Sequence, residues 1–207
     1  MSQVSIQLEG STAVLSLEGR TNLNLLGLEL FQRLNDALDE VTADANIRIV
    51  VLRGAGERAF SAGVDLHEMR DLTPQKAEEF ISTLHQAIRK VLVLPMPVIA
   101  SINGPCLGGA LELILACDMK IAEEESIFGL PEVLVGVPSV IEASLLPKTI
   151  GLGRARRMIM APTRSSPRAA TPMRRPARTR RAPSFARVSV LPAPEWPSMA
   201  TTRVLPG

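Results

Sequence analysis

Hydrophobic and polar side chains follow two different periods along the first 160 residues. Residues 4–8 and residues 13–17 alternate apolar with polar side chains, and a Gly-Ser turn separates them, so the pattern predicts a β-hairpin. In residues 26–41 the apolar side chains recur at steps of three and four, which predicts an amphipathic helix. The β-branched run at residues 47–52 predicts the next strand.

The rest of this region alternates helix with strand. We expect helices at residues 74–91, 110–116, 140–146 and 153–160, and strands at residues 97–102 and 118–122. The strand at residues 97–102 is largely apolar, as in a sheet that helices cover on both faces. Alternating strands and helices therefore predict an α/β fold with largely parallel pairing.

Charge and composition divide the chain near residue 160. Residues 161–207 contain 9 Arg, 9 of the 16 Pro and a single acid, Glu195, whereas residues 1–160 carry a net charge of −6. The tail also lacks an apolar period, and such a composition cannot bury enough surface to offset its chain entropy. We therefore predict a folded core at residues 1–160 and a disordered Arg- and Pro-rich tail at residues 161–207.

Several classes of protein are disfavoured by the composition. The two cysteines lie in the most apolar stretch, which predicts reduced buried thiols, and no metal-ligand spacing is present, so no metal is expected. The N-terminus lacks a signal-peptide pattern, and the longest apolar stretch, residues 91–102, is short and contains two prolines. Aromatic residues make up 3% of the chain, too few for a nucleic-acid stacking platform. These features predict a cytoplasmic protein with no membrane or nucleic-acid partner.

Two glycine-containing loops, residues 60–66 and residues 103–112, each follow an apolar strand. Glycine in such a turn lets a ligand approach the backbone, and the start of a helix offers amides without partners. Two such loops side by side would hold an oxygen that becomes anionic. A lone glycine turn is more often only a turn, so the prediction depends on both loops occurring together.

Two carboxylates accompany these loops. Glu112 lies three residues after Gly109 among apolar neighbours. A carboxylate is rarely buried without a partner or a function, so this position favours a functional role. Glu132 follows Pro131, which stiffens its turn, although Pro-Glu also occurs at plain helix starts. Two carboxylates that converge on an apolar pocket have their proton affinities pushed apart, which provides one acid and one base. Asp65, by contrast, is predicted to cap the turn at residues 66–70.

Three segments, residues 59–66, 102–117 and 128–136, resemble the signature blocks of the crotonase family of enoyl-CoA hydratases and isomerases, in the family's order. The 20-residue spacing of Glu112 and Glu132 also matches the family's hydratases. The resemblance implies an α/β fold built as a spiral of ββα units. It further implies an oxyanion hole from the Val64 and Gly109 amides and an acid/base pair of Glu112 and Glu132.

The same resemblance implies a substrate and an assembly. Ser61, Ala62, Gly63 and Gly108 would bind an acyl-CoA, whose coenzyme A is part of the substrate, so no separate cofactor is expected. The implied reaction is hydration of an enoyl-CoA, and the implied assembly is a homotrimer or a dimer of trimers. Isomerisation of the double bond, an inactive acyl-CoA-binding fragment, and nucleic-acid binding through the Arg-rich tail remain alternatives.

The sequence departs from the family pattern in two places. After Pro138 the family continues with a glycine-rich run, whereas this chain has bulkier residues and Glu142, either a third pocket carboxylate or an ordinary helix residue. The resemblance also stops at Met160, where the family continues with a helical region that covers the active site and forms the trimer. A shifted reading frame or a misassigned coding end would explain this departure, and crotonase-like sequence in another frame would test it.

Overall fold

The computed structural model describes residues 2–137, 141–161 and 189–191. The strands are β1 (Gln3–Glu9), β2 (Thr12–Glu18), β3 (Ile49–Gly54), β4 (Val98–Ile102), β5 (Pro105–Leu107), β6 (Met119–Ala122), β7 (Ile127–Gly129) and β8 (Ser189–Leu191). The helices are α1 (Leu28–Ala43), α2 (Leu66–Met69), α3 (Pro74–Val93), α4 (Gly109–Leu115), α5 (Leu146–Ile150) and α6 (Leu152–Met160). Two 3₁₀ helices span Pro131–Val135 and Ala143–Leu145.

The main sheet confirms the predicted parallel core. Its strand order is β1-β2-β3-β4-β6-β8, with parallel pairing from β2 through β6 and antiparallel pairing at both ends. A second, two-stranded parallel sheet pairs β5 with β7. Strands β4 and β5 are separated only by Asn103 and Gly104, so the chain leaves the main sheet and starts the small one within a few residues.

Two long helices supply much of the core: α1 packs on β1 and β2, and α3 packs on α1 and α4. Helix α1 buries the apolar stripe that the sequence predicted, and it packs against α3. Phe31 and Phe80 meet there edge to face, with ring centroids 5.6 Å apart. Thr73 caps helix α3, since its hydroxyl accepts the Lys76 amide, and Pro74 occupies the first turn, where a missing amide hydrogen costs nothing.

The predicted helix at residues 140–146 is wrong. The described part of this segment has irregular backbone at residues 141 and 142, then the 3₁₀ helix Ala143–Leu145, and α5 begins only at Leu146. Pro147 fits the observed start, because it lies in the first turn of α5, where a missing amide hydrogen costs no helical bond. The helix therefore starts beside Pro147 instead of continuing through it.

The tail departs from its prediction at three residues. Ser189–Leu191 form β8, which pairs with β6 through Leu191 and Lys120 at one end and Ser189 and Ala122 at the other. The predicted disorder of residues 162–188 and 192–207 concerns positions outside the described residues. Within the described ranges, the helices are all too short or too polar to cross a bilayer.

Candidate active site

The two glycine loops of the sequence lie against each other. The Ser61 amide donates to the Pro105 carbonyl at 3.1 Å, and the Leu107 amide donates to the Ser61 carbonyl at 3.1 Å. Gly63 has a φ of +100°, and a Cβ at this position would lie 2.9 Å from the Leu107 carbonyl oxygen. Only glycine combines this backbone angle with so close an approach, so the two loops form one rigid backbone unit.

Val64 and Gly109 are brought together by this unit. A Cβ placed on Gly109 would lie 3.1 Å from Val64 Cγ2, and both residues line the same cavity. Gly109 is the first residue of α4, so its amide has no carbonyl partner within the helix. Among the described residues, neither the Val64 amide nor the Gly109 amide donates a hydrogen bond to another backbone group. Val64 and Gly109 therefore line one cavity, and within the described residues their amides make no bond to a backbone carbonyl.

Glu112 lies one turn into α4 and is only 2% exposed. Its Oε1 accepts the Glu142 amide at 3.3 Å. Burial is the main reason that the pKa of Glu112 is raised from 4.5 to about 7; the charges of Glu132 and Glu142 act in the same direction, and the amides of Glu142 and Ala143 oppose them. At neutral pH this carboxyl is therefore poised between its charged and neutral forms.

Glu132 approaches the same place from the 3₁₀ helix Pro131–Val135. Its Oε1 lies 2.6 Å from the position that a Cβ on Gly108 would occupy. Gly108 has a φ of +56° and directly precedes α4, so the missing side chain leaves room for the Glu132 carboxylate beside the start of that helix. The two glutamates are thus held by separate elements.

A cavity of about 420 Å³ connects these groups. Its lining includes the predicted residues Ala62, Gly63, Val64, Gly108, Gly109, Glu112 and Glu132. Most of the other lining side chains are apolar, namely Leu66, Met69, Phe80, Ile81, Leu84, Leu134, Val135, Val137 and Ile141. All the site residues that were predicted from the sequence therefore line this cavity, with one exception.

Ser61 is the exception. It is fully buried and is not part of the cavity lining. Its hydroxyl accepts the Gly63 amide at 3.1 Å. The side chain therefore stabilises the loop by accepting its Gly63 amide, and the substrate-binding role that the resemblance implies for Ser61 stays a prediction.

Asp65 confirms the predicted cap. Its Oδ1 accepts the His67 amide at 3.0 Å at the start of α2, and its Oδ2 lies 3.2 Å from Arg20 Nη1. No group of three or more His, Cys, Asp or Glu residues within the described ranges is arranged to hold a metal ion. The expected absence of a separate cofactor stays a prediction.

Asn24 stabilises a loop of the site and was not predicted from the sequence. It is buried, adopts a φ of +51°, and its amide group donates to the carbonyls of Ala55, Ala59 and Phe60 at 2.8, 3.0 and 3.4 Å. These bonds anchor the chain that leads into the Val64 loop. Its sequence signal, one Asn in a polar turn, is identical to that of the exposed Asn22.

Replacing Asn24 by Ala should destabilise the fold by about 2–3 kcal/mol, since buried carbonyls lose their donor and Ala tolerates a positive φ less well than Asn. Urea denaturation measures the change. Asn22→Ala, at an exposed position of the same loop, is the matched control and should stay within about 0.5 kcal/mol of the wild type. Equal effects of the two substitutions would show that the three carbonyl contacts do not stabilise the loop.

The raised pKa of Glu112 predicts that native stability falls as the pH rises from about 4.5 to about 7. Across this window the folded chain keeps a proton on Glu112 that the unfolded chain has lost, so a higher pH favours unfolding. Relative to Glu112→Gln, the wild type should lose roughly 3 kcal/mol of unfolding free energy over the window. Urea titrations at pH 4.5 and 7.5 measure this loss.

The control for this titration is Glu40→Gln, at an exposed position of α1. It should follow the wild type at both pH values. A Glu112→Gln variant whose stability falls as steeply as that of the wild type would contradict the prediction.

Comparison with known proteins gives a consistent result. The family model described as enoyl-CoA hydratase/isomerase matches residues 7–173. The match extends 13 residues past the boundary that the sequence analysis set at residue 160. A putative enoyl-CoA hydratase/isomerase, YngF, from Bacillus subtilis is 40% identical over 148 residues, which cover 71% of this chain and 57% of that protein.

Two further relatives extend the comparison. A short-chain-enoyl-CoA hydratase from Clostridium acetobutylicum is 32% identical over 160 residues, which cover 77% of this chain and 61% of that protein. The crystal structure of an enoyl-CoA hydratase from Bacillus anthracis superposes with a TM-score of 0.77 at 36% identity, over 81% of this chain and 66% of that chain. The chain thus spans less than two thirds of the length of these relatives.

Proposed function

Since the chain belongs to the enoyl-CoA hydratase/isomerase family, we propose that it adds water across the α,β double bond of an enoyl-CoA thioester. The observation that supports this proposal is that the two predicted amide donors and the two glutamates belong to residues that line one cavity. Val64 and Gly109 supply the amides, and Glu112 and Glu132 supply the carboxylates. The expected oligomer and cytoplasmic location remain predictions.

The amides would act on the thioester carbonyl oxygen. When the oxygen of water bonds to the β-carbon, the electrons of the double bond move toward the carbonyl and build enolate charge on that oxygen. Donors that are fixed in place before the reaction stabilise this charge without reorganisation, and loss of one donor costs roughly 3 kcal/mol. The close packing at Gly63 supports this role, because it fixes the loop that carries the Val64 amide.

The two glutamates would move the protons. One carboxylate accepts a proton from the attacking water as the C–O bond forms at the β-carbon, and the other carboxyl group delivers a proton to the α-carbon as the enolate collapses. The overall reaction adds one water and needs no redox partner. A Glu112 pKa of about 7 suits such a group, because near neutral pH the carboxyl group can both accept and donate a proton.

The cavity lining favours an apolar acyl group. Apart from Glu112 and Glu132, the described lining residues are uncharged, and no Lys or Arg is among them. An acyl group with a terminal carboxylate would enter this space without a cationic partner and beside two acidic residues, which costs free energy. We therefore propose short- or medium-chain alkyl enoyl-CoA substrates. Isomerisation reuses the amides with one carboxylate, so the presence of two favours hydration.

The test is a direct hydration assay with crotonyl-CoA, which is followed by loss of the enoyl absorbance. We expect hydration of crotonyl-CoA, little hydration of glutaconyl-CoA, and none by the Glu112→Gln/Glu132→Gln double variant. A 3-enoyl-CoA offered in parallel detects isomerisation by gain of the same absorbance. If coenzyme A thioesters bind but none reacts, the hydratase proposal is wrong. The chain is then the inactive acyl-CoA-binding fragment, the alternative that is consistent with the greater length of its relatives.

A further inference from the structure

Glu142 occupies a position between the candidate active site and the surface of α3. Its backbone amide donates to Glu112 Oε1 at 3.3 Å, while its own carboxylate contacts a side chain of α3. Glu142 Oε1 lies 3.1 Å from His85 Nδ1, within hydrogen-bond distance, on α3. The carboxylate is 12% exposed and the imidazole 51% exposed, and Glu142 is not part of the cavity lining. Glu142 is therefore not the third pocket carboxylate that the sequence left open.

The backbone that holds Glu112 has no regular structure of its own at this point. Residues 141 and 142 belong to no helix or strand, and Ala143 opens a 3₁₀ helix of three residues. The Glu142 amide nevertheless donates to Glu112 Oε1, the Ala143 amide lowers the pKa of the same carboxyl group, and Ile141 lines the cavity. The Leu145 amide donates to the Glu142 carbonyl at 2.9 Å, and the 3₁₀ helix packs on α4 and α5, but neither contact holds the Glu142 side chain.

Helix α3 adds a restraint through the Glu142 side chain. It has 20 residues, it is anchored in the core by Phe80, Leu84 and Ile88, and it supplies cavity lining of its own. The contact between His85 and Glu142 ties the irregular segment to this helix. His85 on α3 is thereby connected to the Glu112 carboxyl group on α4 through Glu142 alone, and His85 does not line the cavity.

We propose that His85 and Glu142 form a positioning pair, which fixes the backbone at residues 141–143 so that its amides orient the Glu112 carboxyl group toward the substrate. The proposal rests on the hydratase function for its kinetic consequences. Neither residue touches the reacting atoms, so neither is a catalytic residue. The charged groups that act on Glu112 are Glu132 and Glu142, and His85 acts on Glu142 from α3.

The kinetic test uses His85→Ala, Glu142→Ala and their double variant in crotonyl-CoA hydration. Each single variant should lower kcat by about tenfold, a part of the 10²–10⁴-fold that a positioned acid or base contributes. KM should stay within about twofold, because the bound thioester does not contact the pair. The double variant should be no slower than either single variant, since both remove the same tie. Two single losses that multiply in the double variant would overturn the pair.

A conservative variant separates the tie from the charge. Glu142→Gln keeps an oxygen for His85 and the same backbone amide, so it should retain most of the wild-type kcat. It removes a negative charge near Glu112, so the titration of Glu112 should move to lower pH. Gln86→Ala, at the neighbouring exposed position of α3, is the control and should change neither kcat nor the titration. Thermal melts check that each variant is folded, and the exposure of His85 makes His85→Ala the safest of them.

A readout that needs no turnover distinguishes this proposal from the hydratase proposal. With ¹³C-labelled Glu, the Glu112 carboxyl resonance is assigned by its loss in Glu112→Gln and followed from pH 5 to 9. The pair predicts that this resonance shifts in His85→Ala. If the wild type hydrates no enoyl-CoA and the resonance shifts, the function is wrong and the pair stands. If the wild type hydrates crotonyl-CoA and His85→Ala changes neither kcat nor the resonance, the pair is wrong and the function stands.

Discussion

Replacing Glu112 by Gln is expected to lower kcat for crotonyl-CoA hydration by about 10²–10⁴-fold, the range that a positioned acid or base contributes. The substitution keeps the size of the side chain and an oxygen that can accept the Glu142 amide. It removes only the proton that Glu112 exchanges, so KM should change little. Stopped-flow or steady-state absorbance assays measure both constants.

The pH profile makes this prediction specific to Glu112. Because the pKa of Glu112 is raised to about 7 in the free protein, kcat/KM of the wild type should show an inflection near pH 7. The inflection should disappear from the residual activity of Glu112→Gln. Glu40→Gln, on the exposed face of α1, should keep both the rate and the inflection. A kcat of Glu112→Gln within about tenfold of the wild-type value would show that Glu112 does not transfer the proton.

Most of the fold that positions this site could be predicted from the sequence, because its elements are long enough to show a period. Strand β1, helix α1 and helix α3 each turn one face toward the core, and their apolar positions repeat accordingly, whereas β2 is buried on both faces. Strands β5 and β7 have three residues each, which is too few for any alternation to be recognised. They matter nonetheless, because β5 joins the two glycine loops through the Ser61–Cys106 bridge.

The site was predictable where it depends on residue type at a fixed place and not where it depends on tertiary contacts. Gly63, Gly109 and Glu112 stand out because a glycine turn and a carboxylate among apolar neighbours are visible in the sequence itself. Asn24 and His85 act across 31 and 57 residues of chain, on Ala55 and Glu142 respectively, and nothing local distinguishes them from surface residues. Ser61 shows that a polar residue inside a signature segment can be structural, because its hydroxyl accepts the Gly63 amide of its own loop.

The geometry at Gly108 also explains why glycine precedes α4. The residue combines a φ of +56° with a ψ of −132°, and Glu132 Oε1 occupies the space where a side chain would begin. The position therefore serves two purposes at once, a turn that exposes the Gly109 amide and a recess for a carboxylate. A residue with a side chain could at best satisfy the first.

Replacing Gly108 by Ala should consequently lower kcat by about 10²-fold, because a displacement of about 1 Å at a reacting group has an effect of this size. The added Cβ would lie 2.6 Å from Glu132 Oε1 and must push the carboxylate out of its recess. The positive φ adds a loss of stability of roughly 1–2 kcal/mol, which is separate from the catalytic effect.

Gly10→Ala separates these two effects. Gly10 has a φ of +61°, nearly the same as that of Gly108, but a Cβ there meets nothing within 4 Å, and the residue lies in the turn between β1 and β2. Both variants should therefore lose stability in thermal melts, and only Gly108→Ala should lose kcat. If Gly108→Ala lowers the melting temperature and leaves kcat unchanged, the Glu132 carboxylate does not act from this recess, and the second member of the acid/base pair has to be sought elsewhere on the cavity wall.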